Sequence, residues 1–166
     1  MSALKRLALA LVGAALAFAL VRSILRSLAS DETRVRWLVE ELARDFNAGD
    51  AGDVGAKLHA DYVDLGTGYG RDVVQEALLY LVFQDREPGT KGFRYRVEID
   101  ADALEVRVHD SDPRTADATI RADLFRRTGE TEEPYWNAVV PTRFAKGENG
   151  WKIVETHDVN HADRSR

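Results

Sequence analysis

The sequence predicts an α+β domain with its helices first and its sheet after, on three observations. From Asp31 to Gln84 apolar residues recur at three- and four-residue spacing. From Phe93 to Val159 they alternate with period two. Short turns join the alternating stretches, with no helical stretch between them. Strands joined in this way pair as hairpins, so the sheet is expected to be antiparallel, with one face on the helices and the other in water. A chain of 166 residues is long enough for one domain with a real core and short for two.

The first thirty residues differ in kind. Lys5 and Arg6 precede the apolar run Leu7 to Val21, and Arg22, Ile24, Leu25, Arg26 and Leu28 follow it. Fifteen helical residues rise about 22 Å, short of a hydrocarbon core of roughly 30 Å; extension to Leu28 spans it if Arg22 and Arg26 snorkel toward the headgroups. The expectation is one membrane helix in residues 1–30, a domain in 31–160 and a polar tail in 161–166. A cleaved secretory signal is the alternative, because Ser27-Leu28-Ala29 offers small residues where a peptidase reads, although two arginines interrupt the approach. Basic residues flank the run on both sides, and the positive-inside rule slightly favours an N-terminus in the cytoplasm. The domain is then expected on the periplasmic side of a bacterial inner membrane, as a single-pass protein.

Composition excludes several classes of function. No cysteine is present, which removes a disulfide framework, a thiolate metal site, a cysteine nucleophile and a lipoprotein anchor. All 28 acidic residues lie at or after Asp31 while four of the 23 basic ones precede it, so the remainder carries a net charge of −9. No basic stripe is left for displacing counterions from nucleic acid.

Helix one is carried by Val35, Leu38, Val39, Leu42 and Phe46, with Asp31 as expected N-cap and Asn47-Ala48-Gly49-Asp50 as stop. A short helix restarts at Asp50 to Asp53 and runs through Val54 and Leu58. A brief β stretch, Tyr62 to Leu65, follows. Gly66-Thr67-Gly68-Tyr69-Gly70 then resembles a phosphate cradle but lacks the third glycine at the fingerprint spacing. It reads better as a tight reversal, with positive φ where needed. Helix three carries Val73, Val74, Ala77, Leu78, Leu81 and Val82. Strands follow at Phe93–Ile99, Leu104–Val108, Ala118–Leu124, Trp136–Phe144 and Trp151–Val159. Asp110-Ser111-Asp112-Pro113 reads as a hairpin turn rather than a calcium loop. His157 and His161, four apart on an extended segment, stand about 13 Å from each other, too far for one ion, so no metal and no cofactor is expected.

The motifs F-N-A-G-D-x-x-D-V from Phe46, L-H-A-D-Y-V from Leu58 and G-W-K-I-V-E-T-H from Gly150 resemble the nuclear transport factor 2-like superfamily, in its SnoaL-like and ketosteroid-isomerase-like branches, over residues 32 to 160. The resemblance implies three N-terminal helices on the concave face of a curved, mostly antiparallel sheet, a cone-shaped, cystatin-like α+β fold with a pocket at its open end. It implies self-association through the outer sheet face as well. The isomerase branch has a tyrosine where Leu42 stands and a catalytic aspartate near Gly66, with Asp64 the nearest acid.

The candidate pocket residues are Tyr62, Asp64, Tyr69, Trp136, Asn137, Glu155 and His157. Glu155 and His157 share a face by the two-residue repeat; if it lines a cavity, Asp64 or Glu155 is a candidate base and His157 an acid or orienter. Two classes of function stand open. One is a membrane-tethered binding or scaffold module, acting as a homodimer or with a protein partner and a small apolar ligand, comparable to VirB-type secretion subunits that join an anchor to a related fold. The other is a SnoaL-like isomerase, dehydratase or hydrolase.

Overall fold

The computed structural model describes residues 28–87, 92–157 and 160–161. The proposed membrane segment lies outside them, Leu28 excepted, as do residues 162–166 of the tail. Among the described residues no helix is long and apolar enough to cross a membrane.

Helix α1 spans Asp31–Asn47 and α2 spans Ala51–Ala56. The N-cap of α1 is Ser30, not Asp31: the Ser30 hydroxyl accepts from the Thr33 amide at 3.3 Å. Asp31 is thereby freed for a tertiary role. Its carboxylate accepts from Lys146 Nζ at 2.8 Å and Trp151 Nε1 at 3.2 Å, which pins the start of α1 to the sheet. Asp50 caps α2 by accepting from the Asp53 amide.

Strand β1 runs Leu58–Asp64, longer than the Tyr62–Leu65 stretch expected, and α3 spans Arg71–Phe83. The remaining strands are β2 (Tyr95–Ile99), β3 (Val106–Val108), β4 (Thr115–Thr128), β5 (Thr131–Gly147), β6 (Gly150–Thr156) and β7 (Asn160–His161). The sheet order is β1-β6-β5-β4-β2, with β3 beside β2 on β4 and β7 on β5. All pairs are antiparallel except β1 with β6, so the sheet is mixed and mostly antiparallel. Hairpin logic governs consecutive strands alone. β1 enters the sheet after α2 and reaches β6 from a distant part of the chain, and parallel pairing follows from that path.

The core lies between α1 and the concave sheet face. Val35 and Val39 of α1 pack on Leu104, Ala116, Ala118, Ile120, Phe144 and Ile153, and Leu38, Leu42 and Val74 pack against this cluster. Helix α1 lies across β2, β3 and β6. The expected stripe of α3 divides: Val74, Leu78 and Leu81 face inward, while Val73 is 45% exposed and no α3 residue is fully buried. Asp45 and Lys57, both largely buried, pair across the junction of α1 with β1.

Candidate functional site

Between α1, α3 and the concave face lies an apolar cavity of about 400 Å³, walled by Leu42, Leu78, Leu81, Val97, Leu124 and Trp136 among others. The alternation of β4 and β5 sends Ile120, Ala122, Leu124, Trp136 and Val140 inward, and the α3 stripe meets them from above. The polar groups in its wall are few: Tyr62, Thr142 and Thr156, together with the Trp136 indole. Thr142 Oγ1 is already committed to Val140 O at 3.0 Å.

Tyr62 and Thr156 form the start of a short polar chain at one end. Tyr62 Oη lies 2.8 Å from Thr156 Oγ1, and Thr156 Oγ1 donates to Asp64 Oδ2 at 3.0 Å. Thr156 has one hydroxyl proton and spends it on the Asp64 carboxylate, so the phenol donates to Thr156. Having donated, Tyr62 Oη keeps its acceptor capacity at the cavity wall. Burial pushes the Tyr62 phenol above its ordinary range.

The other oxygen of Asp64 closes the glycine loop. It accepts from the amides of Gly66 at 2.8 Å and Thr67 at 3.0 Å, while Gly68 N donates to Asp64 O and Tyr69 N to Thr67 Oγ1. Four amides that could have cradled a phosphate are thus spent inside the loop. Positive φ occurs at Gly68 (75°) and not at Gly66 or Gly70.

The structure therefore brings Tyr62, Trp136 and, through Thr156, Asp64 together, and separates the rest. Tyr69 is 54% exposed and Asn137 faces solvent on β5. Glu155 and His157 do share a face, but it is the outer one. Strict alternation from the buried Trp151 and Ile153 would turn Glu155 and His157 inward. A bulge intervenes: Phe144 pairs with Ile153 and Arg143 with Glu155, leaving Val154 as the extra residue. The phase shifts by one and Thr156 turns in instead.

On the outer face Glu155 and His157 join a charged row. His109 Nε2 meets Asp117 Oδ2 at 2.8 Å, Arg143 Nε donates to Asp117 Oδ1 at 3.0 Å and Arg143 Nη1 to Glu155 Oε2 at 3.1 Å. His157 Nε2 stands 3.8 Å from Glu155. Burial alone would raise the Asp117 carboxyl, but the Arg143 and His109 hydrogen bonds hold it below the usual range. A broad groove of about 1030 Å³ on this side is lined by Arg107, Thr119, Arg121, Pro141 and His157, among others. Among the described residues no group of three acids or histidines is placed to hold a metal ion.

Sequence reasoning missed Thr156, because the bulge that turns it inward leaves no local signature. It also missed the rim of the cavity, where Arg126 follows Leu124 and Ala122 on the inward face of β4. The extended alternation through Arg126 was the signal for it.

This architecture is the cystatin-like fold of nuclear transport factor 2-like proteins. Similar solved structures include such a protein from Novosphingobium aromaticivorans, 18% identical, with a TM-score of 0.64 over 87% of this chain and 90% of that one. A second, of unknown function from Pseudomonas putida, is 14% identical with a TM-score of 0.60, covering 81% and 89%. ActVI-ORFA from Streptomyces coelicolor is 14% identical with a TM-score of 0.59, covering 78% and 95%. No family model matches the chain, and no curated protein does.

Proposed function

We propose that the domain is a binding module for a small, largely apolar molecule, held at a membrane by the segment before Ser30. The carrying observation is the cavity of about 400 Å³, a volume suited to a small ligand, whose described wall contains no carboxylate or imidazole. General acid–base chemistry needs a group with a pKa near the working pH within about 3 Å of the reacting proton. Tyr62 is the titratable residue in the described wall, and burial moves it away from neutrality. Of the sequence-derived candidates for that role, Glu155 and His157 turn to the outer face, and Asp64 has one oxygen on Thr156 Oγ1 and the other on the Gly66 and Thr67 amides. Binding is therefore favoured over the isomerase, dehydratase or hydrolase reading.

The tether rests on the apolar run Leu7 to Val21 and its flanking arginines. Attachment raises the local concentration of a module that serves a membrane assembly. Self-association through the outer sheet face completes the reading, supported by a wide groove on a face that the helices leave uncovered.

The test is displacement of an environment-sensitive naphthalene probe from the wild-type chain and from Leu78→Trp, which fills the cavity from α3. Probe binding lost in Leu78→Trp with the circular dichroism spectrum intact supports the reading. Equal binding by both proteins contradicts it.

A further inference from the structure

The inward face of the sheet does not stay apolar to its end. Tyr95 pairs with Arg126, Val97 with Leu124 and Ile99 with Ala122, so Arg126 lies on the same face as residues that wall the cavity, one step beyond them. Directly opposite residues of an antiparallel pair share a face, which fixes this without reference to rotamer. The Arg126 guanidinium stands 5.6 Å from the centre of the Tyr135 ring, and Tyr135 in turn packs against Tyr95 with ring centres 5.7 Å apart.

Arg126 Nε is buried without a hydrogen-bond partner, and among the described residues its guanidinium has no ion pair. The acid best placed to neutralise it is Asp85, just beyond α3, but both Asp85 oxygens are taken. Arg94 Nη1 donates to Oδ1 at 2.8 Å, and the Tyr95 hydroxyl donates to Oδ2. Glu133 pairs with Arg126 across β4 and β5, yet it is exposed and makes no salt bridge to it. The Arg126 charge is felt by Asp85 but makes no direct hydrogen bond to it; a buried Nε donor left without a hydrogen bond is costly, and a planar fork of N–H donors suits a carboxylate best.

We propose that Arg126 anchors a carboxylate carried by the cavity's occupant, so that the site takes a small amphiphile with its apolar body against Leu81, Leu124 and Trp136 and one anionic end at the rim. This rests on the binding reading above and narrows it to a substrate class. Residues 31–166 carry a net charge of −9 and repel anions, so an arginine one strand step beyond the wall of an apolar cavity gives such a ligand a local point of capture and a fixed direction of entry.

The test compares octanoate with octanol, which share an apolar body, by titration of the full chain read on the emission change that Trp136→Phe removes. Octanoate is expected to bind about tenfold more tightly than octanol, the gain of one charge-assisted contact. Arg126→Gln should cost octanoate about tenfold and leave octanol within about twofold. If Arg126→Gln fails to fold by circular dichroism, Arg126→Lys decides, with an expected loss of about threefold confined to octanoate. Octanoate binding that ignores these substitutions, or an equal loss for both ligands, overturns the proposal while the binding reading stands. If neither ligand binds the wild-type chain, the binding reading falls and the proposal with it.

Discussion

Tyr62 Oη donates to Thr156 Oγ1 across 2.8 Å, tying the first strand to the sixth at the end of the cavity. Because the Thr156 hydroxyl accepts from Tyr62 and donates a hydrogen bond to Asp64, one hydroxyl holds together the cavity wall and the glycine loop.

Removal of that hydroxyl should cost more than removal of the phenol. Thr156→Val leaves the buried Tyr62 hydroxyl unpaired and takes a donor from Asp64, and should destabilise by about 2 kcal/mol; Tyr62→Phe deletes one donor and should cost about 1 kcal/mol. Urea unfolding of the two variants checks the order.

Acid should weaken the fold through its paired carboxylates. Burial alone would raise Asp45, but hydrogen bonds from Lys57 and Arg44 hold it below its ordinary value; Asp31 is held down in the same way by Lys146 and Trp151. Groups with a depressed folded pKa stabilise above the unfolded value of about 4 and lose that contribution as pH falls through the folded value. The melting temperature should therefore hold near pH 6 and drop steadily from about pH 4 downward. Asp45→Asn should flatten part of this profile and cost about 3 kcal/mol at neutral pH, since Lys57 is left buried with no carboxylate beside it. A profile unchanged by the substitution would place the acid sensitivity elsewhere.

Gly68→Ala isolates backbone strain in the glycine loop. Nothing lies within 4 Å of the Cβ it would carry, so the φ of 75° is the whole penalty, about 1 kcal/mol. A ligand titration of this variant should match wild type if the loop serves to position Asp64 and does not touch the occupant.

Self-association through the outer face predicts a dimer in sedimentation at tens of micromolar, well above a typical dimer's dissociation constant. Thr119→Arg, at an exposed position lining the outer groove, should yield monomer. A dimer that survives the substitution belongs to another face.

Much of this fold is legible in sequence because periodicity reports it directly. Val35 and Val39 mark the buried side of α1, and Ala118, Ile120, Ala122 and Leu124 mark the inward side of β4. The site was less legible, for a physical reason. A bulge at Val154 reverses the phase of β6, so the carboxylate and imidazole that alternation offered to the cavity point outward, and a threonine takes their place. The parallel pairing of β1 with β6 is likewise a property of the whole chain path, which no local pattern encodes. Arg126 was passed over because the apolar alternation stops at Leu124, while the strand itself runs on to Thr128.

Methyl NMR of the chain during titration with a small apolar amphiphile reads occupancy of the cavity side chain by side chain. Chemical-shift changes and ligand contacts are expected at Leu42, Leu78, Leu81, Leu124 and Ile153, which wall the cavity, with Val73, Leu79 and Leu65 on the exposed surface unmoved. Shifts confined to the exposed methyls, or none at ligand saturation of the solution, would contradict the binding reading.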